Sequence, residues 1–272
     1  MPLFTYHNEA EEGDLIELAS TKSNSFIFEI KKGAVQQTHR GVVNHDDLIG
    51  KKWGTLIYSH QGSPFILFQP GIFSIHTTTK RNTQIMYPKD IGFVILKMNI
   101  GPGCRIIEAG TGSGGLTQIL AYLVGEMGHV YSYDSRKEMQ ELAMKNLGRL
   151  ELLDRVTFQN IDIQEGFFER DVDAVFLDLP NPYDYLIQVR NSLSPGGYFG
   201  CLLPTSNQVT KTLIALRRND FAFTDVCETF LRYYQAEENK FRPTDRMVAH
   251  TGYLIFSRMV EPQAKIESQQ DE

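Results

Sequence analysis

The stretch Glu108-Ala-Gly-Thr-Gly-Ser-Gly-Gly115 decides how this chain folds. It follows the short apolar run Cys104 to Ile107 and precedes "LTQILAYLVGEM", whose apolar residues recur at helical spacing. A glycine loop between a strand and a helix lets backbone N–H groups and the helix N-terminus approach a ligand closely. Working outward, the spacing predicts a strand in "HVYSYD" (129–134), a helix in "RKEMQELAMKNLGRL" (136–150), and strands in "RVTFQNID" (155–162) and "DAVFLDLP" (173–180). "YLIQVRNSL" predicts a helix stopped by the turn Ser194-Pro-Gly-Gly197, and "YFGCLLP" a further strand. "QVTKTLIALRRN" adds a helix and "TGYLIFSRM" a last strand. This alternation is that of an α/β, Rossmann-like domain built on a parallel sheet.

Upstream, the pattern changes. From Ser25 to about Ile75, the β-prone runs "FIFEI", "TLIYS" and "FILFQP" are separated by turn residues such as Gly33, Gly41, Gly50 and Gly54, with no helical period. That describes a small all-β module. A basic bridge, "TTTKRNTQIMYPKD", and the helical run "IGFVILKM" follow it. We therefore expect a β-rich N-terminal domain over 1–78, the α/β domain over 79–260, and a disordered tail over 261–272. At 272 residues the chain is long enough for two cores, and 42% hydrophobic with 22% charged residues is ordinary for a soluble protein. The N-terminus lacks a basic head followed by an apolar run, and no stretch approaches membrane-spanning length, so a soluble, cytoplasmic protein is expected. Cys104, Cys201 and Cys227 are odd in number and widely spaced, which suggests reduced thiols and neither disulfides nor a metal site. The net charge of −6 argues against a uniform basic coat. Lys31, Lys32, Arg40, Lys51, Lys52, Lys80 and Arg81 nevertheless fall in short clusters that could form a local positive face.

The glycines alone fit both a dinucleotide and S-adenosylmethionine (SAM). Four features at successive strand ends favour SAM. Glu108, before the glycines, suits the ammonium of a methionine tail and would be an awkward neighbour for a pyrophosphate. The loop residues Gly110, Gly112, Ser113, Gly114, Gly115 and Leu116 would form the cradle. Asp134, twenty residues beyond Gly114, is placed to accept both ribose hydroxyls. Asp162 suits the adenine amine, with Ile163 on one ring face and Met139 available for the other. Each acid could instead cap a helix, and Met139 could be a core residue. The fourth strand end, "DLPNPY", puts Asp178 and the aromatic Tyr183 on a Pro-rich turn where the methyl would leave.

The runs "RNTQIMYPKD" (81–90), "EAGTGSGGLT" (108–117), "DLPNPY" (178–183) and "RMVAHTGYLIFSR" (246–258) together resemble the tRNA (adenine-N1)-methyltransferases that modify adenosine 58 of the T-loop. The resemblance spans about nine-tenths of the chain and is far more specific than the glycine loop. Tyr183 departs from it, because a Trp is expected there. The resemblance implies SAM as cofactor, tRNA as substrate, and a homotetramer or a complex with a catalytically silent paralogue. It also implies Asp178 as the catalytic carboxylate, Tyr87 and Tyr183 as substrate contacts, and Gln84 as a cofactor contact.

Adenine N1 carries a free lone pair, so the enzyme must align the reactants more than deprotonate one. As N1 attacks, positive charge spreads toward N6, and a carboxylate accepting from that amine binds the transition state better than the ground state. A stacked T-loop base would have to be extruded, at a cost of a few kcal/mol, with basic residues gripping phosphates. His250 reads as a satisfied structural histidine first and a substrate or subunit contact second. The alternatives are a SAM-dependent protein isoaspartate (carboxyl) methyltransferase and a non-catalytic tRNA-binding subunit. The second would be expected to have lost the SAM loop and Asp178.

Overall fold

Alternation in Leu15-Ile-Glu-Leu-Ala19, with Ile16 and Leu18 turned inward, makes this segment strand β1. The computed structural model describes residues 7–20 and 25–262, and the chain divides into two units, Met1–Thr79 and Lys80–Glu272. In the first unit β1 is followed by β2 (Phe26–Glu29), β3 (Val35–Thr38), β4 (Gly41–Asn44), β5 (Leu56–Tyr58) and β6 (Pro64–Phe68). Four of these form an antiparallel sheet in the order β2-β1-β6-β5, and β3 and β4 pair as a hairpin. Ile16, Leu18, Ile30, Val43, Leu48, Phe65 and Leu67 form its core. The unit then adds a two-turn helix, α1 (Ile72–Thr78), which starts inside the β-prone region and reaches into the expected basic bridge.

The second unit opens with α2 (Pro88–Lys97), where Pro88 at the first helical turn needs no backbone partner for its nitrogen. Strand β7 (Arg105–Ala109) leads into α3 (Gly115–Val124), β8 (His129–Tyr133) into α4 (Lys137–Gly148), and β9 (Val156–Gln159) into β10 (Val172–Leu177). Then come α5 (Leu186–Ser192), β11 (Leu193–Leu203), α6 (Ser206–Arg218), β12 (Phe221–Cys227) and β13 (Tyr253–Met259). They build one seven-stranded sheet in the order β12-β13-β11-β10-β7-β8-β9. Strands β7 to β11 are mutually parallel, and β13 runs antiparallel between β11 and β12. The central strands read as apolar runs because both their faces are covered. Ile107, Val175, Leu177, Phe199 and Leu203 are fully buried or nearly so beneath Leu186 and Val189 of α5. Each such side chain contributes about 1.5–3 kcal/mol.

In the second unit two elements differ from the expectation. The Ser194-Pro-Gly-Gly197 turn is absorbed into β11, whose pairing with β10 jumps from Val172↔Leu193 to Ala174↔Tyr198, so the turn residues bulge from the strand. Strand β12, "FAFTDVC", shows no alternation of burial: it is an edge strand, mostly exposed, with a register shift after Ala222 and Phe223 at φ 54°. The expected tail lies, from residue 263 onward, outside the described residues, as do residues 1–6 of the N-terminus. Cys104 and Cys201 are buried free thiols, and Cys227 is partly buried.

Candidate active site

The order β10-β7-β8 places β7 at the point where successive strands are added on opposite sides, and a ligand crevice opens at the carboxyl ends of such strands. Gly110, just after β7, has φ +100°, and a Cβ built there would lie 2.3 Å from the backbone oxygen of Asp178. Only glycine lets the ends of β7 and β10 approach this closely. The Asp178 N–H donates to the Ala109 carbonyl at 2.8 Å, which extends the ladder between the two strands. The loop itself is held at several points. Gly110 and Thr111 N–H donate to the Tyr133 carbonyl, Gly112 N–H to Asp134 Oδ2 (3.0 Å), and Asn82 N–H to Ser113 Oγ (3.2 Å).

Two cavities meet at Asp178. The first, about 340 Å³, is lined by Ala109, Gly110, Asp134, Arg136, Asp162, Ile163 and Tyr185, among others. The second, about 230 Å³, is lined by Gln84, Tyr87, Asp90, Leu202, Pro204 and Thr251, with Ile85 and Met86. Asp178 lines both. A wider cavity of about 400 Å³ lies at the opposite ends of the strands, but its acid, Asp173, already accepts the Arg105 N–H at 2.8 Å.

The carboxylates differ in setting. Burial would raise Asp134, but hydrogen bonds from Arg136 (Nε 3.0, Nη2 3.0 and backbone N 2.9 Å) and from Gly112 outweigh it and hold the group below its usual value. Asp134 is thus ionised, and its acceptor positions are engaged by these donors; accepting a ribose diol would mean turning the half-exposed Arg136 fork aside. Asp162 caps the short 3-10 turn Ile163–Glu165 through Gln164 N–H at 3.0 Å while also lining the first cavity. Asp178 is solvent-exposed by accessible surface, yet it lines both cavities with protein crowded around its carboxyl. That desolvation raises its carboxyl to about 6, against a lowering pull from Arg136.

Glu108 is turned inward. It is 1% exposed, and its Oε2 accepts from Thr117 Oγ1 (2.6 Å) and Ser132 Oγ (2.7 Å), so in this structure it supports the loop from beneath. Burial raises its carboxyl to about 8, against the lowering effect of those two hydroxyls. The folded protein therefore holds a proton that the unfolded chain releases above its ordinary value of 4.5. Stability is lost as pH rises from about 4.5 to 8, by up to a few kcal/mol. Glu108→Gln should accordingly bind SAM within a few-fold of wild type at pH 7. Its melting temperature should gain on wild type between pH 5 and 8, as thermal scans across that range would show. A large loss of SAM binding would instead place the charged carboxylate at the ligand.

Of the other expected residues, Gly110, Asp134, Asp162, Ile163 and Asp178 come together at the first cavity and Tyr87 at the second. Gln84, expected at the cofactor, lines the second cavity instead. Met139 is 8% exposed on α4 and does not line the first cavity, whose apolar lining includes Ile161, Ile163 and Leu179. Tyr183 lines neither cavity; Lys211 Nζ of α6 sits 5.2 Å from its ring centroid. Gly112, Ser113, Gly114, Gly115 and Leu116 shape the loop from behind: Gly114, at φ +79°, lies against Ala143 of α4, 2.9 Å from a built Cβ. His250 is exposed with both ring nitrogens at acceptors, Glu228 Oε1 (2.6 Å) and the Pro204 carbonyl (3.2 Å). The Glu228 carboxylate, with Pro204, raises its pKa. Sequence reasoning missed Arg136, Tyr185, Asp90 and Thr251. Asp90 and Thr251 had a visible signal, since they lie in the quoted runs "RNTQIMYPKD" and "RMVAHTGYLIFSR".

The acid-lined first cavity, with a glycine-only approach at one wall, fits a cationic adenosyl ligand and not a pyrophosphate. Among the described residues, no group of three or more His, Cys, Asp or Glu is placed to hold a metal ion.

Comparison with known proteins agrees with this geometry. Residues 65–247 match the family model for the tRNA methyltransferase complex GCD14 subunit, and residues 10–57 match a TrmI-like N-terminal domain. The chain is 34% identical over 248 residues to the tRNA (adenine(57)-N(1)/adenine(58)-N(1))-methyltransferase TrmI of Methanocaldococcus jannaschii, covering 82% of this chain and 87% of that protein. It is similar in structure to the tRNA (m1A58) methyltransferase TrmI of Aquifex aeolicus (TM-score 0.80, 34% identity, 93% of this chain and 100% of that one). It is also similar to a SAM-dependent O-methyltransferase of Thermotoga maritima (TM-score 0.87, 36% identity, 97% of each chain).

Proposed function

The chain belongs to the TrmI-like family of SAM-dependent tRNA (adenine-58-N1)-methyltransferases, and from that premise we propose how its own residues carry the reaction. The first cavity holds SAM, the second receives adenine 58 of the tRNA T-loop, and Asp178 serves at their junction. The observation that carries this reading is that a single carboxylate lines both cavities. SAM, when bound, supplies an electrophilic methyl group. Gly110 gives the ligand close access to backbone, Asp162 supplies an acceptor for its amine, and Asp134 one for its hydroxyls once the Arg136 fork turns aside. Tyr87 offers an aromatic wall to the base. Asp178 accepts from the N6 amine as positive charge builds on the ring, an interaction stronger in the transition state than before it. Transfer to oxygen is named for the Thermotoga protein; where that oxygen is a hydroxyl, the reaction would need a stronger base at the junction than a carboxyl near 6.

The reading extends to a homotetramer acting in the cytoplasm. Phe230, Tyr233, Tyr234, Phe241, Met247 and Val248 are exposed along one segment before β13, an apolar surface suited to contact between copies. Light scattering on the purified protein measures the assembly. The function is tested by nucleoside mass spectrometry of unmodified tRNA incubated with the protein and SAM. The expected product is 1-methyladenosine confined to the T-loop, and unmethylated tRNA alongside bound SAM would refute the substrate.

A further inference from the structure

Beside the second cavity lies an ion pair that the reaction as described does not use. The Lys89 and Asp90 side chains are 7% and 1% exposed and meet at 2.9 Å. Lys89 Nζ also donates to the Thr229 carbonyl (2.9 Å) and to Thr251 Oγ1 (2.6 Å), with a longer approach to Thr229 Oγ1 (3.2 Å). Asp90 accepts from Thr229 Oγ1 on one oxygen and from Thr251 Oγ1 (2.7 Å) on the other. The three N–H donors of the Lys89 ammonium are taken by Asp90, the Thr229 carbonyl and Thr251 Oγ1, and both hydroxyls donate to the acid, which closes the cage.

A buried pair of this kind is poor evidence for stability, because desolvation offsets most of the attraction. What directional bonds supply, and apolar packing does not, is a fixed position. Three distant chain segments are held here: the start of α2, the chain just after β12 and the chain just before β13. The Asp90 and Ile91 N–H groups both donate to the Tyr87 carbonyl (2.9 and 3.0 Å), so fixing Asp90 fixes the residue that walls the cavity. Thr251 walls the same cavity, which Asp178 closes. A second tie runs parallel, from Glu228 through His250 to the carbonyl of Pro204, another wall residue.

We propose that Lys89, Asp90, Thr229 and Thr251 form a positioning device for the target base, holding Tyr87 and the β13 side of the cavity in register with Asp178. It rests on the assignment of the second cavity to adenine. None of the four is required to touch the reacting atoms, and Thr229 does not line the cavity at all.

Removing Lys89 or Asp90 singly would strand a buried charge, so the threonines carry the test. Thr229→Val keeps shape and removes the hydroxyl, whereas Thr229→Ser keeps the hydroxyl and removes a methyl. The expected result is a kcat lowered about tenfold or more in Thr229→Val, from a base held slightly out of line. KM for tRNA, SAM affinity by calorimetry and melting temperature should stay close to wild type, and Thr229→Ser should retain most of kcat. The same pair at Thr251 should follow the same order. A Thr229→Val enzyme with wild-type kcat overturns the proposal. So does a serine variant that falls as far as the valine, which would make the role packing, or a loss shared by SAM binding, which would make the cage a general strut. Wild-type protein that binds SAM yet methylates no tRNA would refute the cavity assignment itself and take the proposal with it.

Discussion

Asp178→Ala is expected to lower kcat for tRNA methylation by about a hundredfold to a thousandfold, the scale on which one preorganised group at the developing charge acts. SAM affinity should change far less, because Asp134, Asp162 and the Gly110 approach remain on the first cavity. Calorimetry with SAM beside single-turnover methylation separates the two effects. Asp178 also sets a pH dependence. Its carboxyl is raised to about 6 by desolvation, so it is increasingly protonated below that pH and can no longer accept from a cationic base. The acid limb of kcat/KM should therefore bend near pH 6, whereas an aspartate at its ordinary pKa would place it near 4. A cationic cofactor beside the carboxylate favours its ionised form, so the limb in kcat should lie lower than the limb in kcat/KM. Asp178→Asn should abolish the limb together with most of the rate. A variant that keeps kcat but loses SAM would make Asp178 a binding residue only.

The fold was legible where burial is two-sided. Strands β7, β10 and β11 announce themselves as apolar runs, and the glycine loop fixes where the crevice must open. It was hidden where an element is exposed: β12 alternates poorly because it lies at the sheet edge, and β3, "VQQT", has no apolar side to show. In the site, spacing found the acids at the ends of β7, β8 and β10 but not their orientation. Glu108 near the end of β7 and Asp178 just after β10 both close apolar runs, yet one turns beneath the loop and the other into the crevice. That difference comes from Thr117 and Ser132, nine and twenty-four residues from Glu108 in sequence, which supply the buried hydroxyls. Tyr183 and Tyr185 sit two residues apart on the same Pro-rich turn. Only the turn's geometry decides that Tyr185 reaches the first cavity and Tyr183 meets Lys211. Arg136 and Thr251 act through side-chain partners that no local pattern encodes.

Gly110→Ala should be the most damaging single methyl group in the second unit, and Gly112→Ala shows why. Both glycines have positive φ, +100° and +53°, so alanine is strained at either position, by roughly 1–2 kcal/mol. Their surroundings differ. A Cβ at Gly112 would find Thr83 Oγ1 at 3.7 Å and the Gly110 carbonyl at 3.9 Å, both ordinary contacts. At Gly110 it would stand 2.3 Å from the Asp178 carbonyl oxygen, which has no rotamer to escape into. Relief requires the ends of β7 and β10 to part, and that breaks the 2.8 Å bond from Asp178 N–H to the Ala109 carbonyl. Asp178 would be displaced from both cavities together. We therefore expect Gly110→Ala to weaken SAM binding about a hundredfold or more and to lower the melting temperature well beyond Gly112→Ala. For Gly112→Ala the loss should stay near the cost of its φ, about tenfold in affinity for each 1.4 kcal/mol. Calorimetry and thermal unfolding on the two variants side by side measure this. Equal losses would mean that φ alone decides, and that β7 and β10 can separate at their ends without disturbing the site. The expected gap would show that the close approach at Gly110 holds the junction carboxylate in place.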